Sequence, residues 1–298
     1  YGFINKANRG KTVNLSFTMR TGNVDDYMNK GMTAGFVASL LNKGTQSRSR
    51  QDIEDALSAI SSSVGFGGSN GRVYTSISST KENLPAALEI MTDMLKNPKF
   101  ESSELDKIKT QRLARLESSA SDPQFVASQR MSQINQFYPK GHPNYSPNLN
   151  EQIAMINEVS IDRIQSFFDT FYGISDNASL VAIGSMDAEM VKIYFEDNFS
   201  DFKSDKPFSE IKNPFKQNVA ANENVITPDK KNAFTIGMLS AKTTETDEDN
   251  AALQVAGTIF GGGFLNSRVA TRLRQQDGVS YGAGAQVSID SDPDDKKS

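Results

Sequence analysis

The feature that most constrains the fold is an alternation of apolar and polar residues near the beginning of the chain. Apolar side chains occupy every second position from Val13 to Met19, which is the pattern of a β-strand with one buried face. Small and apolar residues at helical spacing follow, and they predict a helix over 26–43 that ends at Gly44. Ser49 then predicts the start of a second helix.

The same mixture of strands and helices continues to about residue 199. The glycine-rich segment 65–71 is interpreted as a turn or hairpin, because a phosphate-binding loop would need Lys-Ser or Lys-Thr after its glycines. Strands are predicted at 73–77 and 180–183, and helices at 84–95, 101–118, from Pro123, 150–156, 160–171 and 188–199. A strand, helices, a strand and a helix in this order predict an α+β domain of packed layers.

A polar segment, 203–222, is the best candidate for a linker. Beyond it the opening pattern recurs, with a strand predicted at 233–239, helices at about 248–259 and 267–276, and a further strand from Tyr281. This second region is short and ends in a polar stretch, 292–298. We therefore expect the chain to be part of a longer protein.

Composition argues against several kinds of function. The net charge is −4 and no segment is dominated by Lys and Arg, so neither nucleic acid nor an anionic membrane is expected as a partner. No apolar run approaches the roughly 18–20 residues of a membrane-spanning helix. There is no cysteine and only one histidine, His142, so a triad or a catalytic zinc site would have to be built around one imidazole. Catalysis by this chain alone is not expected.

Several segments carry more specific patterns. Residues 31–45, GMTAGFVASLLNKGT, form a predicted helix with a Lys-Gly-Thr ending, and Asn97-Pro98-Lys99-Phe100 and His142-Pro143 lie further on. Residues 261–281, GGGFLNSRVATRLRQQDGVSY, combine a glycine triplet, an Arg-containing helix and Gly-x-x-Tyr. Over nearly the whole chain, these segments resemble the insulinase/pitrilysin family of zinc peptidases, the group with an inverted H-x-x-E-H motif.

The resemblance implies two-layer peptidase-like domains, in which an antiparallel or mixed sheet packs against helices. One degenerate domain would be complete over 1–212, and 213–298 would be the start of a second. The longer protein would be a clamshell of four such domains. Its zinc would be bound by the catalytic half, on the same chain or on a partner chain. The substrate would be a peptide or an unfolded polypeptide, and a periplasmic location fits some bacterial relatives.

The residues at the family's metal-binding positions differ from those of active members. In the motif, two histidines four residues apart hold Zn²⁺ on one helical face while the glutamate lies beside the metal-bound water. Counting back from Lys43-Gly44-Thr45 places these positions at Gly35, Ala38 and Ser39. None of the three can bind zinc in that way or act as the base, and they are interpreted as packing residues of a small-residue helix.

The third family ligand, a glutamate on a later helix, would fall near Ala114 or Arg115. Glu117 lies close in the sequence, but a single carboxylate is too little to hold a catalytic zinc. We therefore predict that this chain has no metal site and needs no cofactor of its own.

The C-terminal pattern is intact, with Arg274 near a predicted helix end and Tyr281 at the start of the following strand. The resemblance implies that Tyr281 donates a hydrogen bond to the developing oxyanion, and that Arg274 holds the substrate backbone or supports that charge. The alternative is structural: an arginine in a last turn complements the helix dipole, and a tyrosine in a strand often only packs.

These observations predict the non-catalytic half of a zinc metalloendopeptidase, inactive alone and contributing substrate and oxyanion contacts. Two alternatives stay open: a scaffold subunit, as degenerate relatives in respiratory complexes are, or a peptide-binding module derived from such a peptidase. Arg274 and Tyr281 argue against both, because a scaffold has no need of the pair. His142, without a nearby carboxylate pair, is interpreted as a loop anchor.

Overall fold

The computed structural model of the chain describes residues 1–228, 230–263 and 265–289. These residues form two compact units. Unit 1 comprises Tyr1–Ile211 with Thr227–Ala233, and unit 2 comprises Lys212–Ile226 and the chain from Phe234 onwards. The polar stretch 292–298 lies outside the described residues.

Unit 1 is built on one mixed five-stranded sheet. Its strands are β1 Gly2–Asn5, β2 Thr12–Arg20, β3 Ser63–Ser69, β4 Arg72–Thr80 and β5 Asn177–Gly184, in the spatial order β1-β5-β2-β4-β3. The strand β2 is antiparallel to both β4 and β5, β3 is antiparallel to β4, and β1 is parallel to β5. The predicted α+β class is confirmed.

In the part of unit 1 that the structure describes, nine α-helices accompany the sheet. They are α1 Val24–Tyr27, α2 Thr33–Leu40, α3 Arg50–Ala59, α4 Leu84–Lys96, α5 Ser102–Ser119, α6 Pro123–Ile134, α7 Leu149–Glu158, α8 Ile161–Phe171 and α9 Ala188–Phe199. Several begin where the sequence supplies a capping side chain. Ser49 and Asn148 form full capping boxes with the residues three positions on, which satisfies backbone N–H groups that the helix leaves unpaired.

The core lies between one face of the sheet and the helices. The alternation in β2 is confirmed: Val13, Leu15, Phe17 and Met19 are buried, whereas the polar residues between them face the more exposed side. Buried side chains of α2, α4, α8 and α9 pack against this apolar face. Each fully buried large apolar side chain contributes about 1.5–3 kcal/mol relative to an exposed one, so this layer holds the sheet and α2 in fixed positions.

Segment 65–71 belongs to a β-hairpin, which confirms one of the two interpretations, although most of the segment is strand and not turn. Its glycines fall within β3, and only Asn70-Gly71 turns the chain into β4. Gly67 faces Tyr74 across the pair, where a Cβ atom would lie 2.1 Å from the tyrosine ring. The glycine therefore makes room for an aromatic side chain on the neighbouring strand, a contact that local sequence does not reveal.

The single helix predicted over 26–43 is divided in two. Asn29 and Gly31 both have positive φ values, 60° and 55°, and they separate α1 from α2. The helix then tightens into a 3₁₀ turn over Leu41–Lys43 and ends at Gly44, whose φ is 146°. Left-handed residues cannot continue a right-handed helix, so Asn29 and Gly31 set this boundary.

Unit 2 contains short helices, and its described residues include no strand. The helix α10 Asn250–Gly257 continues as a π-helix over Thr258–Gly262, and α11 Arg268–Ala270 continues as a π-helix over Thr271–Gln276. The strands predicted at 233–239 and from Tyr281 are absent. A strand needs a hydrogen-bonding neighbour, and the side chain of Leu239 is 96% exposed, so the pattern alone was not sufficient.

Candidate functional site

The three positions that correspond to the family's metal motif lie on α2, on two adjacent faces. Ala38 is buried and faces β3, where a Cβ atom at Gly68 would lie 3.3 Å from the Ala38 Cβ. Gly35 and Ser39, four residues apart, share the neighbouring face and are partly exposed. Ser39 Oγ donates a hydrogen bond of 2.7 Å to the Gly35 carbonyl oxygen.

An arginine from α5 occupies the space in front of Gly35 and Ser39. Arg112 Nη2 donates hydrogen bonds to the Gly35 carbonyl oxygen and to Ser39 Oγ, both at 2.9 Å. The guanidinium carbon lies 3.8 Å from the ring centroid of Phe36, a cation–π contact. A Cβ atom at Gly35 would lie 3.8 Å from Arg112 Nη1, at ordinary van der Waals distance.

Sequence reasoning missed Arg112 and pointed to residues two to five positions later. Ala114, Arg115 and Glu117 are all exposed on α5. A usable signal was present, because Arg112 continues the spacing of the buried residues Leu105 and Ile108. A charged residue in the buried stripe of an amphipathic helix indicates a specific partner on the facing element.

The residues around this position do not fit a zinc ion. A glycine, an alanine and a serine stand where two imidazoles and a carboxylate would be needed, and a guanidinium cation already donates into the same space. Burial, followed by the charge of Arg115, lowers the pKa of Arg112, yet an arginine stays protonated in proteins. Among the described residues, no group of three His, Asp or Glu side chains could hold a metal.

The Gly-Thr that ends the α2 region is fixed by a partly buried polar cluster. The carboxylate of Asp93, on α4, accepts hydrogen bonds from the side chains of Thr45, Ser47, Arg48 and Asn97. Burial alone raises the pKa of the Asp93 carboxyl, but these hydrogen bonds outweigh burial and hold the pKa below its ordinary value. The cluster therefore anchors the end of α2 to α4 through a charged group.

In unit 2 the structure brings Arg274 and Tyr281 together. The guanidinium carbon of Arg274 lies 4.9 Å from the centroid of the Tyr281 ring, and Arg274 is in the last turn of the π-helix. The phenol side chain is 85% exposed. Gly278, with a φ of 62°, reverses the chain between the two residues. The pair thus presents one aromatic hydroxyl and one cation on the surface of unit 2.

The glycine triplet has a packing role in this unit. A Cβ atom at Gly261 would lie 2.1 Å from the backbone nitrogen of Ala285, and one at Gly257 would lie 2.5 Å from Val287. The segment after Tyr281 therefore runs directly against the helix at two positions four residues apart. Only glycine allows this close approach, which accounts for part of the C-terminal pattern without any catalytic role.

His142 lies in a loop beside a cavity of about 670 Å³ in unit 1. Its Nδ1 accepts a hydrogen bond of 3.0 Å from the Asn144 backbone N–H, and its ring stacks on Tyr138 with centroids 4.3 Å apart. These contacts agree with the interpretation of His142 as a loop anchor. Lys140 and Glu151, which also line the cavity, form an ion pair of 3.1 Å.

Two family models match the chain. "Insulinase (Peptidase family M16)" matches residues 3–148, and "Peptidase M16 inactive domain" matches residues 158–295. The chain therefore consists of peptidase M16 family domains, an N-terminal insulinase-like domain followed by a C-terminal inactive domain. None of the helices that the structure describes is long and apolar enough to cross a membrane.

Particular relatives agree with this assignment. The non-peptidase homolog YmxG of Helicobacter pylori is 25% identical over 283 residues, which are 94% of this chain and 60% of the relative. The chain thus spans about three fifths of that curated relative. A peptidase M16 inactive domain from Pseudomonas fluorescens has a similar fold, with a TM-score of 0.77 and 17% identity over 97% of this chain and 68% of that one.

A protease from Helicobacter pylori also has this fold, with a TM-score of 0.71 and 14% identity over 97% of this chain and 69% of that one. Structures at this level of identity establish the fold alone. The chain therefore has a peptidase-like fold, and its relatives include a protein named a non-peptidase homolog and a domain named inactive.

Proposed function

We propose that this chain is the non-catalytic half of a zinc-dependent metalloendopeptidase and that it binds the peptide substrate. The observation that carries the proposal is the α2 site, where Gly35 and Ser39 meet the Arg112 guanidinium in place of metal ligands. A helix with this composition cannot activate a water molecule through a metal. The domain has nevertheless kept the packed shape of its family, which fits a role in binding.

The edge of the sheet is the surface on which a peptide would bind. Within the described residues β3 pairs with β4 alone, so the backbone N–H and C=O groups along its other side are available. An extended peptide can add to such an edge as one more strand, with main-chain hydrogen bonds supplying affinity. Three glycines in β3, at 65, 67 and 68, leave this edge sparsely covered by side chains.

The second contribution would come from Arg274 and Tyr281. An exposed phenol can donate a hydrogen bond to an oxyanion that develops at the zinc of the catalytic half, and the adjacent guanidinium can support the same charge. The catalytic half would be on the same chain or a partner chain, and it would supply the Zn²⁺. The substrate would be a peptide or an unfolded polypeptide, and the compartment would be the periplasm.

The test uses the full-length natural protein together with its catalytic half. We expect the chain without that half to bind no zinc and to hydrolyse no peptide. In the assembled enzyme, Tyr281→Phe and Arg274→Ala should each lower turnover by about tenfold or more while zinc content is unchanged. The matched control is Arg272→Ala, which removes an arginine of the same helix that pairs with Asp277 at 2.9 Å.

Two results would overturn the proposal. Zinc-dependent hydrolysis by this chain alone would show that it carries its own catalytic site. Wild-type turnover in both the Tyr281→Phe and the Arg274→Ala enzymes would reduce the pair to a packing contact. In that second case a scaffold subunit, or a peptide-binding module without a role in hydrolysis, would be the better description.

A further inference from the structure

Arg112 is a half-buried cation with no anionic partner among the described residues. Its described contacts are all to neutral groups: the Gly35 carbonyl oxygen, Ser39 Oγ and the Phe36 ring. Four other arginines of unit 1 pair with carboxylates, in the pairs Arg48–Asp93, Arg50–Glu54, Arg72–Glu210 and Arg163–Glu158. Neutral contacts offset only part of the cost of desolvating a charge, so a carboxylate beside Arg112 would supply the counter-ion that the chain does not.

The guanidinium still has hydrogen-bond donors to offer. Nη2 uses its two N–H groups on Gly35 and Ser39, whereas Nη1 and Nε donate to no acceptor among the described residues. Arg115 follows three positions later on α5, on the same side of the helix, and none of the described carboxylates pairs with it. The two side chains therefore place positive charge next to the exposed face of α2.

This charge lies next to the proposed peptide edge. Ala34 and Ala38 of α2 contact Gly68 of β3, while Gly35 and Ser39 contact Arg112. Successive helical residues are turned by about 100°, so β3 and the guanidinium lie on adjacent faces of the same helix. A strand added beside β3 would lie about 4.8 Å from it, next to the helix whose adjacent face holds Arg112.

We infer that Arg112, assisted by Arg115, forms a subsite that binds a carboxylate of a peptide held along β3. The inference rests on the proposed peptide-binding function and adds a substrate class to it, namely acidic peptides. The carboxylate belongs either to a Glu or Asp side chain or to the C-terminus of the peptide. In both cases Arg112 donates a charge-assisted hydrogen bond through Nη1 or Nε, since Gly35 and Ser39 already accept from Nη2.

The experiment measures peptide binding to the full-length protein by fluorescence anisotropy. The probes are fluorescein-labelled, C-terminally amidated octapeptides of alternating Val and Thr, with Glu placed at each position in turn, and matched peptides with Gln. One further all-neutral peptide keeps a free C-terminal carboxylate. We expect the peptide with Glu at one particular position, or the peptide with the free C-terminal carboxylate, to bind about tenfold tighter than the matched neutral peptide. This preference for a carboxylate should weaken as salt is added.

Substitutions of single arginines test which residue causes the preference for a carboxylate. Arg112→Met should abolish the preference for the carboxylate, Arg112→Lys should retain part of it, and Arg115→Met should reduce it by a smaller factor. Arg9→Met, a matched change in an exposed loop, should leave it unchanged. Thermal unfolding of Arg112→Lys verifies that the fold survives, so that a loss of preference in Arg112→Met is not confused with loss of structure.

The outcomes separate this inference from the function on which it rests. Equal binding of acidic and neutral peptides by the wild type, or an unchanged preference in Arg112→Met, would overturn the carboxylate subsite while peptide binding stands. Failure of every peptide to bind would overturn both. A preference that follows Arg112 across the variants would establish the subsite and identify which of the two carboxylates it prefers.

Discussion

The α2 site and the Arg274–Tyr281 pair are the two places where the sequence resembles the family's catalytic pattern, and they differ in opposite ways. Around α2 the packing is dense and the metal-binding side chains are replaced, with Phe36 fully buried and Arg112 hydrogen-bonded to the helix. In unit 2 the side chains with chemical function are present, but Tyr281 is 85% exposed. The comparison teaches that packing fixes the shape of the α2 site whatever its chemistry, whereas the exposed Tyr281 contributes little to packing.

The largest expected difference concerns stability. Phe36→Ala removes a buried aromatic side chain from the core and from the face of Arg112, so we expect it to lower the free energy of unfolding by about 3–5 kcal/mol. Tyr281→Ala, at an exposed position, should lower it by less than about 0.5 kcal/mol. Urea unfolding of both variants measures the difference. Similar losses of unfolding free energy in the two variants would show that Phe36 and Tyr281 contribute equally to stability, which would contradict the contrast between the two sites.

A second change sharpens the contrast within α2 itself. Ala38→Glu introduces a carboxylate against β3 in a space limited by Gly68, and we expect a loss of about 2–4 kcal/mol from overpacking and from the buried charge. Ser39→Glu places the same group on the partly exposed face beside Arg112, where an ion pair can form, so its cost should stay below about 1 kcal/mol. Equal costs, again by urea unfolding, would contradict the assignment of the two faces.

The anchor of α2 should make part of its stability depend on pH. The pKa of the Asp93 carboxyl is lower in the folded than in the unfolded state. Its contribution to the stability of the fold is therefore complete above the unfolded pKa of about 3.9, and it is lost as the pH falls through the lower folded pKa. Asp93→Asn should cost about 2 kcal/mol at pH 7. The difference between variant and wild type should narrow from pH 5 towards pH 2, and a difference that is constant with pH would exclude the charged anchor.

The smallest effects compare the two arginine–aromatic contacts. Arg112→Met loses a partly desolvated cation–π contact and two hydrogen bonds, and we expect a loss of about 1 kcal/mol. Arg274→Met loses an exposed contact at 4.9 Å, with an expected loss below about 0.5 kcal/mol. Thermal unfolding of the two variants ranks the two losses of stability. A larger loss for Arg274→Met than for Arg112→Met would show that the stronger contact is in unit 2.

Much of unit 1 could be predicted from sequence, because the spacing of apolar residues along a segment indicates which of its faces is buried. The strand β2 and the helices α4, α8 and α9 follow from local spacing, whereas Gly35, Ala38 and Ser39 were singled out by the family resemblance. The strand β1 was missed, since four residues carry too little pattern and its only neighbour, β5, is far along the chain. The strands predicted in unit 2 failed because alternation does not supply a pairing neighbour.

The candidate site was only half predictable, for a related reason. The resemblance to the zinc-peptidase pattern points to three positions of one helix, where the sequence has no metal-binding side chain. The guanidinium that replaces them comes from a residue 77 positions away from Gly35, and no local rule pairs α2 with α5. The residue type at Arg112 was the available clue, because it interrupts an otherwise apolar stripe.

The order of strands in the sheet has a consequence for how the protein is made. The strand β2 is central, yet 157 residues separate Arg20 from its neighbour Asn177 on β5. At roughly 5–20 residues per second, the ribosome needs about 8–30 s to synthesise that interval. During this time the nascent polypeptide exposes an unpaired strand edge with one apolar face. The newly synthesised chain, more than the finished fold, is therefore the form of this protein that would engage a chaperone.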